Sequence, residues 1–272
     1  MLGLLKPKGT WSWTASGKHP VARDYFRVGS NPSLLKAFSD WVNNGYQLLD
    51  STQTHTPQFN CWRFWAKSPT KGNLVCGLGR DSSDSLGRPY PFLIMGTGFL
   101  KGWEDHWDLL PFAFEKTWRQ MEYMCAKRFT DFKQIEDEVC SIKPPDANWA
   151  ELTSLRESQQ EFEPTYRNNE LPLDFIGMEN KVSSLAGRTE FFVLLDSGPS
   201  NDPFKLAGLW HLFLKIRIGE VPNAVFMGGV PEEACLAVFN RPLAPRDFVQ
   251  LWTTFSMGEV NNGSFVTGKR TH

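Results

Sequence analysis

A chain of 272 residues with 29 basic against 30 acidic side chains has a formal net charge of −1, so no basic stripe is available to neutralise a phosphate backbone and nucleic acid is excluded as a partner. Apolar residues make up 41% and aromatics 14%, including 11 Trp and 21 Phe, which excludes extended disorder and favours broad packed layers. The cysteines, Cys61, Cys76, Cys125, Cys140 and Cys235, are odd in number, widely spaced and without a CxxC pair, as expected of buried reduced thiols rather than a disulfide framework.

Met1 to Leu5, followed by Lys6-Pro7-Lys8, is too short for the apolar region of a signal peptide. The longest apolar run, Leu209 to Ile218, is broken by His211, Lys215 and Arg217, whereas a bilayer span needs about 20 apolar residues. A soluble, cytoplasmic protein with no membrane insertion is expected. Trp11 and Trp13 alternate with polar residues and read as one face of an edge strand, and Gly17-Lys18-His19-Pro20 reads as a polar turn before the amphipathic piece Arg23 to Arg27. Ser30-Asn31-Pro32 starts a helix in which Leu35, Phe38, Val42, Tyr46 and Leu49 recur at spacings of three and four. From Phe59 to Ala66 the period changes to two. Trp62 and Phe64 face one way while Phe59, Cys61 and Trp65 face the other, as in a strand covered on both sides. Similar runs recur at Leu74 to Leu78, Tyr90 to Met95, Phe191 to Leu195, Ala224 to Met227 and Cys235 to Phe239.

Between these runs lie helical patterns: Phe114, Trp118, Met121 and Cys125, then Leu206, Trp210, Phe213 and Arg217 after Asn201-Asp202-Pro203, and a closing helix around Phe248 to Trp252. Two-faced strands interleaved with amphipathic helices predict an α/β fold, a three-layer α/β/α sandwich. The loop between the strands of Leu74 to Met95 is too short for a crossover helix, so the central sheet is expected to be mixed and partly antiparallel. Asp131 to Asp174, rich in Glu and Gln and containing Lys143-Pro144-Pro145-Asp146, reads as solvated helices and loops connecting two halves. Residues 1–272 are read as one composite domain whose Gly- and Asn-rich tail, 256–272, frays.

The segment from Arg80 to Arg88 is dense in carboxylate, hydroxyl and guanidinium groups between two apolar strands. A structural arrangement, with Arg88 pairing with Asp84 and tying loop carbonyls while Gly87 supplies a positive φ, is weighed against an active-site arrangement and is the commoner of the two. Gly77-Leu78-Gly79 lacks the third glycine of a dinucleotide loop and the Gly-Lys-Ser/Thr ending of a phosphate loop. The histidines show no metal-ligand spacing, and Glu104-Asp105-His106-Trp107-Asp108 reads as a solvated helix entrance, so neither metal nor cofactor is expected. Arg63 lies on a two-faced strand and needs a partner. A pair with an Asp of the polar loop is the bland reading, and an anion contact in a pocket the sharper one.

Gly17-Lys18-x-Pro20, Arg23-Asp24-x-Phe26, Trp62-Arg63-Phe64 and then Ser82-x-Asp84-x-x-Gly87-Arg88-x-Tyr90-Pro91, in this order, resemble the TagF (ImpM-like) family over residues 9 to 125. The second half, 175–255, matches more loosely. That resemblance implies a longin-like α/β/α fold and a non-enzymatic, post-translational repressor of bacterial type VI secretion that works by binding proteins. Its implied partners are cytoplasmic secretion components, with the forkhead-associated protein as the candidate. Gly17, Lys18, Pro20, Asp24, Phe26, Trp62, Arg63, Ser82, Asp84, Gly87, Arg88 and Pro91 are then the motif residues and candidate interaction residues, none of them catalytic. His19 and Tyr25 stand where apolar residues are commoner in the family, Phe92 replaces a common Leu, and Asp131 to Asp174 reads as an expansion. Two rivals are a small-anion or phosphopeptide-binding module using Arg63 and Arg88, and a hydrolase built from Asp84, Ser82 or Ser83 and a distant histidine.

Overall fold

A computed structural model describes residues 11–30, 32–50, 59–160, 178, 185, 187–195, 202–230 and 233–253. The chain start, residues 161–174 and the tail 256–272 lie outside them. Eight strands are present: β1 (Ser12–Gly17), β2 (Phe26–Gly29), β3 (Cys61–Lys67), β4 (Asn73–Arg80), β5 (Phe92–Phe99), β6 (Glu190–Leu194), β7 (Ala224–Val230) and β8 (Glu233–Phe239). The described helices are α1 (Ser33–Asp50), α2 (Leu110–Ala126, entered through a 3-10 turn at Trp107–Leu109), α3 (Phe132–Ser141), α4 (Trp149–Gln160), α5 (Pro203–Ile218) and α6 (Pro245–Thr253).

All eight strands form one sheet in the order β2-β1-β5-β4-β3-β7-β8-β6, and every pairing among them is antiparallel. The sandwich is as expected, but the sheet is not mixed. Hairpins join β1 to β2, β4 to β5 and β7 to β8, and β3 pairs with β7 to fuse the two halves of the chain into one sheet. Nor is β1 an edge: β2 and β5 flank it, and the edge falls to the short β2.

The period-two pattern divides the core cleanly. Trp62, Phe64 and Ala66 of β3, with Val75, Leu93, Met95, Phe226 and Phe239 from the neighbouring strands, pack beneath α1 and α6. Trp65, Leu74, Cys76, Leu78 and Ile94 turn to the opposite face, where Trp103, Trp107, Phe114, Trp118 and Trp210 cover them. Phe59 departs from its expected place: it precedes β3 and is 71% exposed. The stretch Glu104 to Asp108 departs as well. Trp107 and Asp108 are buried, and the Asp108 carboxylate pairs with Arg156 of α4 and, at 2.6 Å, with Lys215 of α5. Those ion pairs join the helices of the outer layer, so this segment is a structural joint and not a solvated entrance. In the charged connecting segment, Ile135 and Val139 of α3 are also fully buried.

Helices α1 and α6 approach so closely that a Cβ on Gly45 would lie 2.4 Å from the Phe248 Cβ. Ala in place of Gly gains about 1 kcal/mol in helix propensity, but overpacking costs about 1–3 kcal/mol. Gly45→Ala is therefore expected to lower the thermal midpoint; an unchanged or raised midpoint would show that the two helices can slide apart.

A polar contact crosses the opposite face. The Trp65 indole N–H donates to His211 Nε2 at 3.1 Å, which leaves the proton on Nδ1 to donate to the Ala207 carbonyl at 2.6 Å. Burial dominates the titration of this ring and pulls its pKa from 6.5 to about 4 against the opposing Ala207 bond and Asp108 charge. A depressed histidine stabilises the fold above its unfolded pKa, because only the unfolded chain takes up the proton in between. Stability should thus decline by about 3 kcal/mol as the pH falls through this window. His211→Gln, which can accept from Trp65 and donate to Ala207, should flatten the urea-unfolding free energy between pH 6.5 and about 4. An equal slope in parent and variant would remove His211 as its source.

Candidate functional site

The hairpin loop between β4 and β5 folds back on itself through an isolated bridge between Ser83 and Pro89. Its turn is built around Asp84. The Gly87 N–H donates to the Asp84 carbonyl at 2.9 Å, and Gly87 sits at φ 76°, the left-handed region that a residue without Cβ enters freely. Asp84 Oδ1 accepts from the backbone N–H groups of Leu86 and Arg88, each at 3.0 Å, while Oδ2 receives Arg88 Nε at 2.7 Å and Lys18 Nζ at 3.2 Å. This carboxylate has no exposed surface. Burial pushes its pKa up, but the bonds from the Arg88 N–H, Lys18, the Leu86 N–H and the Arg88 guanidinium outweigh that and hold it at about 2.

Arg88 completes the tie to the first hairpin. Its Nη2 donates to the Arg23 carbonyl at 2.6 Å and stands 3.5 Å from Asp24. The Ser85 N–H reaches the Ala22 carbonyl at 2.8 Å. At the root of the turn Gly17 adopts φ 122°, and a Cβ there would fall 2.0 Å from the Pro91 carbonyl oxygen, so close approach of β1 to β5 requires glycine at this point. Phe26 packs against Phe92 with ring centres 5.8 Å apart. Gly17, Lys18, Asp24, Phe26, Asp84, Gly87, Arg88 and Pro91, scattered over more than 70 positions of sequence, thus form one corner of the molecule. Pro20 and Ser82 line the cavity beside it, and Ser82 also accepts the Tyr90 N–H through its carbonyl at 3.0 Å.

Trp62 and Arg63 are elsewhere. Trp62 is fully buried beneath α1 and α6. Arg63 points to the other face and is paired with Glu122 (2.7 and 2.9 Å) and Glu115 (2.9 Å), both from α2. Its partners are helix glutamates and not an Asp of the polar loop, a choice that the packing of α2 across β3 and β4 makes and that no local pattern encodes. Burial opposes its charge, but the two carboxylates prevail and raise the guanidinium pKa. Carboxylates therefore engage both Arg63 and Arg88.

The serines of the loop do share a cavity with a histidine, His19. Yet His19 Nδ1 accepts the Val21 N–H at 3.2 Å, whereas a serine nucleophile needs a base whose Nδ1–H is oriented by a carboxylate. Asp84 is already bound to Lys18 and Arg88. Sequence reasoning missed His19 and Arg80 as cavity residues because nothing in their spacing announces that α2 ends against this loop, where the Cys125 carbonyl accepts Arg80 Nη1 at 3.0 Å.

Residues 14–141 match the family model of the TagF N-terminal domain, described as type VI secretion system-associated. The match runs through α3 and so takes in the first part of the charged segment. No curated protein is significantly similar in sequence. Among solved structures, the crystal structure of PA0076 from Pseudomonas aeruginosa PAO1 superposes with a TM-score of 0.52 at 15% identity, covering 96% of this chain and 100% of that one, a likeness of fold.

A buried carboxyl with a depressed pKa stabilises the fold above its unfolded value and loses that contribution as the pH falls through its folded value. For Asp84 the window lies between 3.8 and about 2. Asp84→Asn should be less stable than the parent at neutral pH and should lose less stability across that acid window. Superimposable acid-unfolding profiles would show that the carboxylate is not the brace of this loop.

Proposed function

We propose, from the premise that residues 14–141 belong to the type VI secretion system-associated TagF N-terminal domain family, that this protein restrains secretion by binding a secretion component and not by turnover. One observation carries the reading. The charged motif residues spend their bonds inward on Asp84, while the loop they brace presents Leu86, 69% exposed, to solvent. Tyr25, 43% exposed, lies in the adjoining hairpin with its ring edge on Tyr90, and Arg23, whose carbonyl accepts Arg88, is exposed in the same hairpin. A braced loop surrenders little conformational entropy on docking, and Tyr and Arg are over-represented among residues that dominate interface energies. On this reading Lys18, Asp84, Gly87 and Arg88 are positioning residues, and recognition belongs to Leu86, Tyr25 and Arg23. The partner is a cytoplasmic secretion component, with the forkhead-associated protein as candidate, by the family resemblance.

Such a protein acts by sequestration, so its effect follows its amount. Overproduction in its host should reduce export of the secreted tube protein in proportion to dose. The double variant Leu86→Asp, Tyr25→Ala removes two largely surface side chains, at the loss of the Tyr25 ring contact with Tyr90, and should lower the parent's thermal midpoint by no more than a few degrees. It should lose both the dose effect and co-purification of the secretion component. Full repression by a variant that no longer retains any partner would defeat the binding reading, as would loss of repression in a folded Ser82→Ala variant that retains every partner.

A further inference from the structure

Beside the braced loop, at the end of the sheet between the end of α2 and the layer of α1 and α6, lies a cavity of about 840 Å³. That size suits a small organic ligand. Two of its cations, Arg80 and Arg128, have no carboxylate partner among the described residues. Arg80 is half-buried at the end of β4 and gives its Nη1 and Nε to the backbone carbonyls of Cys125 and Asp81, at 3.0 and 3.4 Å. Among the described residues no carboxylate lies within ion-pair reach of it. The nearby Asp81 carboxylate is engaged by the Asn60 N–H at 2.9 Å and the Trp252 indole at 2.7 Å. Arg128 adds a second cation at the rim, exposed and without an ion-pair partner among the described residues.

Two buried groups point to a ligand independently of those charges. His19 is 7% exposed, and because its Nδ1 accepts the Val21 N–H, the neutral ring carries its proton on Nε2, where no acceptor meets it among the described residues. Burial, with the charge of Arg80 second, keeps that ring neutral at physiological pH. Asn60 is 4% exposed and spends its amide N–H₂ on Asp81 and Trp252, which leaves Oδ1 as a buried acceptor with no donor among the described residues. A buried polar atom without a partner, such as Asn60 Oδ1, costs about 1–3 kcal/mol, so a ligand that matches it is favoured. Tyr90, Phe92 and Phe129 supply aromatic wall.

We infer that this cavity binds a small organic anion, a carboxylate or phosphate monoester on an aromatic body, with its oxygens on Arg80 and His19 Nε2–H and a donor of its own facing Asn60 Oδ1. The assignment does not rest on the secretion role. Arg63 and Arg88, the guanidinium groups the sequence singles out for an anion, are held by carboxylates, whereas Arg80 is not.

The test uses the full chain, with hippurate and phenyl phosphate as probes. Hippurate combines a benzoyl ring, an amide N–H and a carboxylate; phenyl phosphate offers the phosphate monoester. Each is titrated against the thermal midpoint and against tryptophan fluorescence, since Trp252 lines the cavity. At least one probe should raise the parent's midpoint saturably, while inorganic phosphate and benzyl alcohol at equal concentration leave it unmoved. Whichever probe binds more tightly identifies the preferred anion. Arg80→Gln should weaken that binding by about tenfold or more. Ser83→Asp, which places a carboxylate at the rim without touching a buried side chain, should do the same and carries the test if Arg80→Gln does not fold. The inference is overturned if neither probe moves the midpoint, if inorganic phosphate binds as well as they do, or if Ser83→Asp binds them as tightly as the parent.

Discussion

The structure depends on a sheet whose central strands are buried on both faces. Once β3, β4, β7 and β8 are covered from above and below, a charged or polar group carried inward is costly unless it finds a partner within the protein, because water cannot reach it. Trp65 meets His211 across strand and helix, Arg63 meets Glu115 and Glu122, and Asp108 gathers Arg156 and Lys215. Each of these links the sheet to a helix or one helix to another. Apolar packing supplies most of the driving force, and these contacts select which helix lies over which strand.

The corner at Asp84 applies the same rule at the end of the sheet. Two hairpins meet there, and a single carboxylate with two backbone donors and two cations satisfies a loop that would otherwise have its polar backbone unpaired. Rigidity follows from that satisfaction, and so does the exposure of Leu86: with the polar side chains turned inward, the apolar one is left outside. The cavity beside it shows the contrary case. At Asn60 an inward acceptor is left without a donor among the described residues, and Arg80 meets backbone carbonyls but no carboxylate, so the site is chemically defined by what it lacks.

The family match adds a boundary to this picture. It ends at residue 141, at the end of α3, yet the sheet that begins in this region is extended through the β3 to β7 pairing by strands from the second half. The match to the secretion-associated family model lies almost wholly within the first half. A closed outer face for β3 requires the second.

Periodicity in the sequence determined the strands and the main helices, because alternation and the three-four spacing are imposed locally by backbone geometry, and Trp62-Arg63-Phe64-Trp65 sorted onto its two faces as the pattern requires. The turn at Gly87 and the bond between Arg88 and Asp84 were legible for the same reason, being four residues apart. Strand order was not: nothing local tells β1 that it lies between β2 and β5, or that every pairing is antiparallel. The partners of Arg63, the pairing of Asp108 and the company of Arg80 were decided only by tertiary structure. These contacts join residues 45 to 107 positions apart, and an interaction at that separation is fixed by how whole helices pack on the sheet, not by any spacing along the chain.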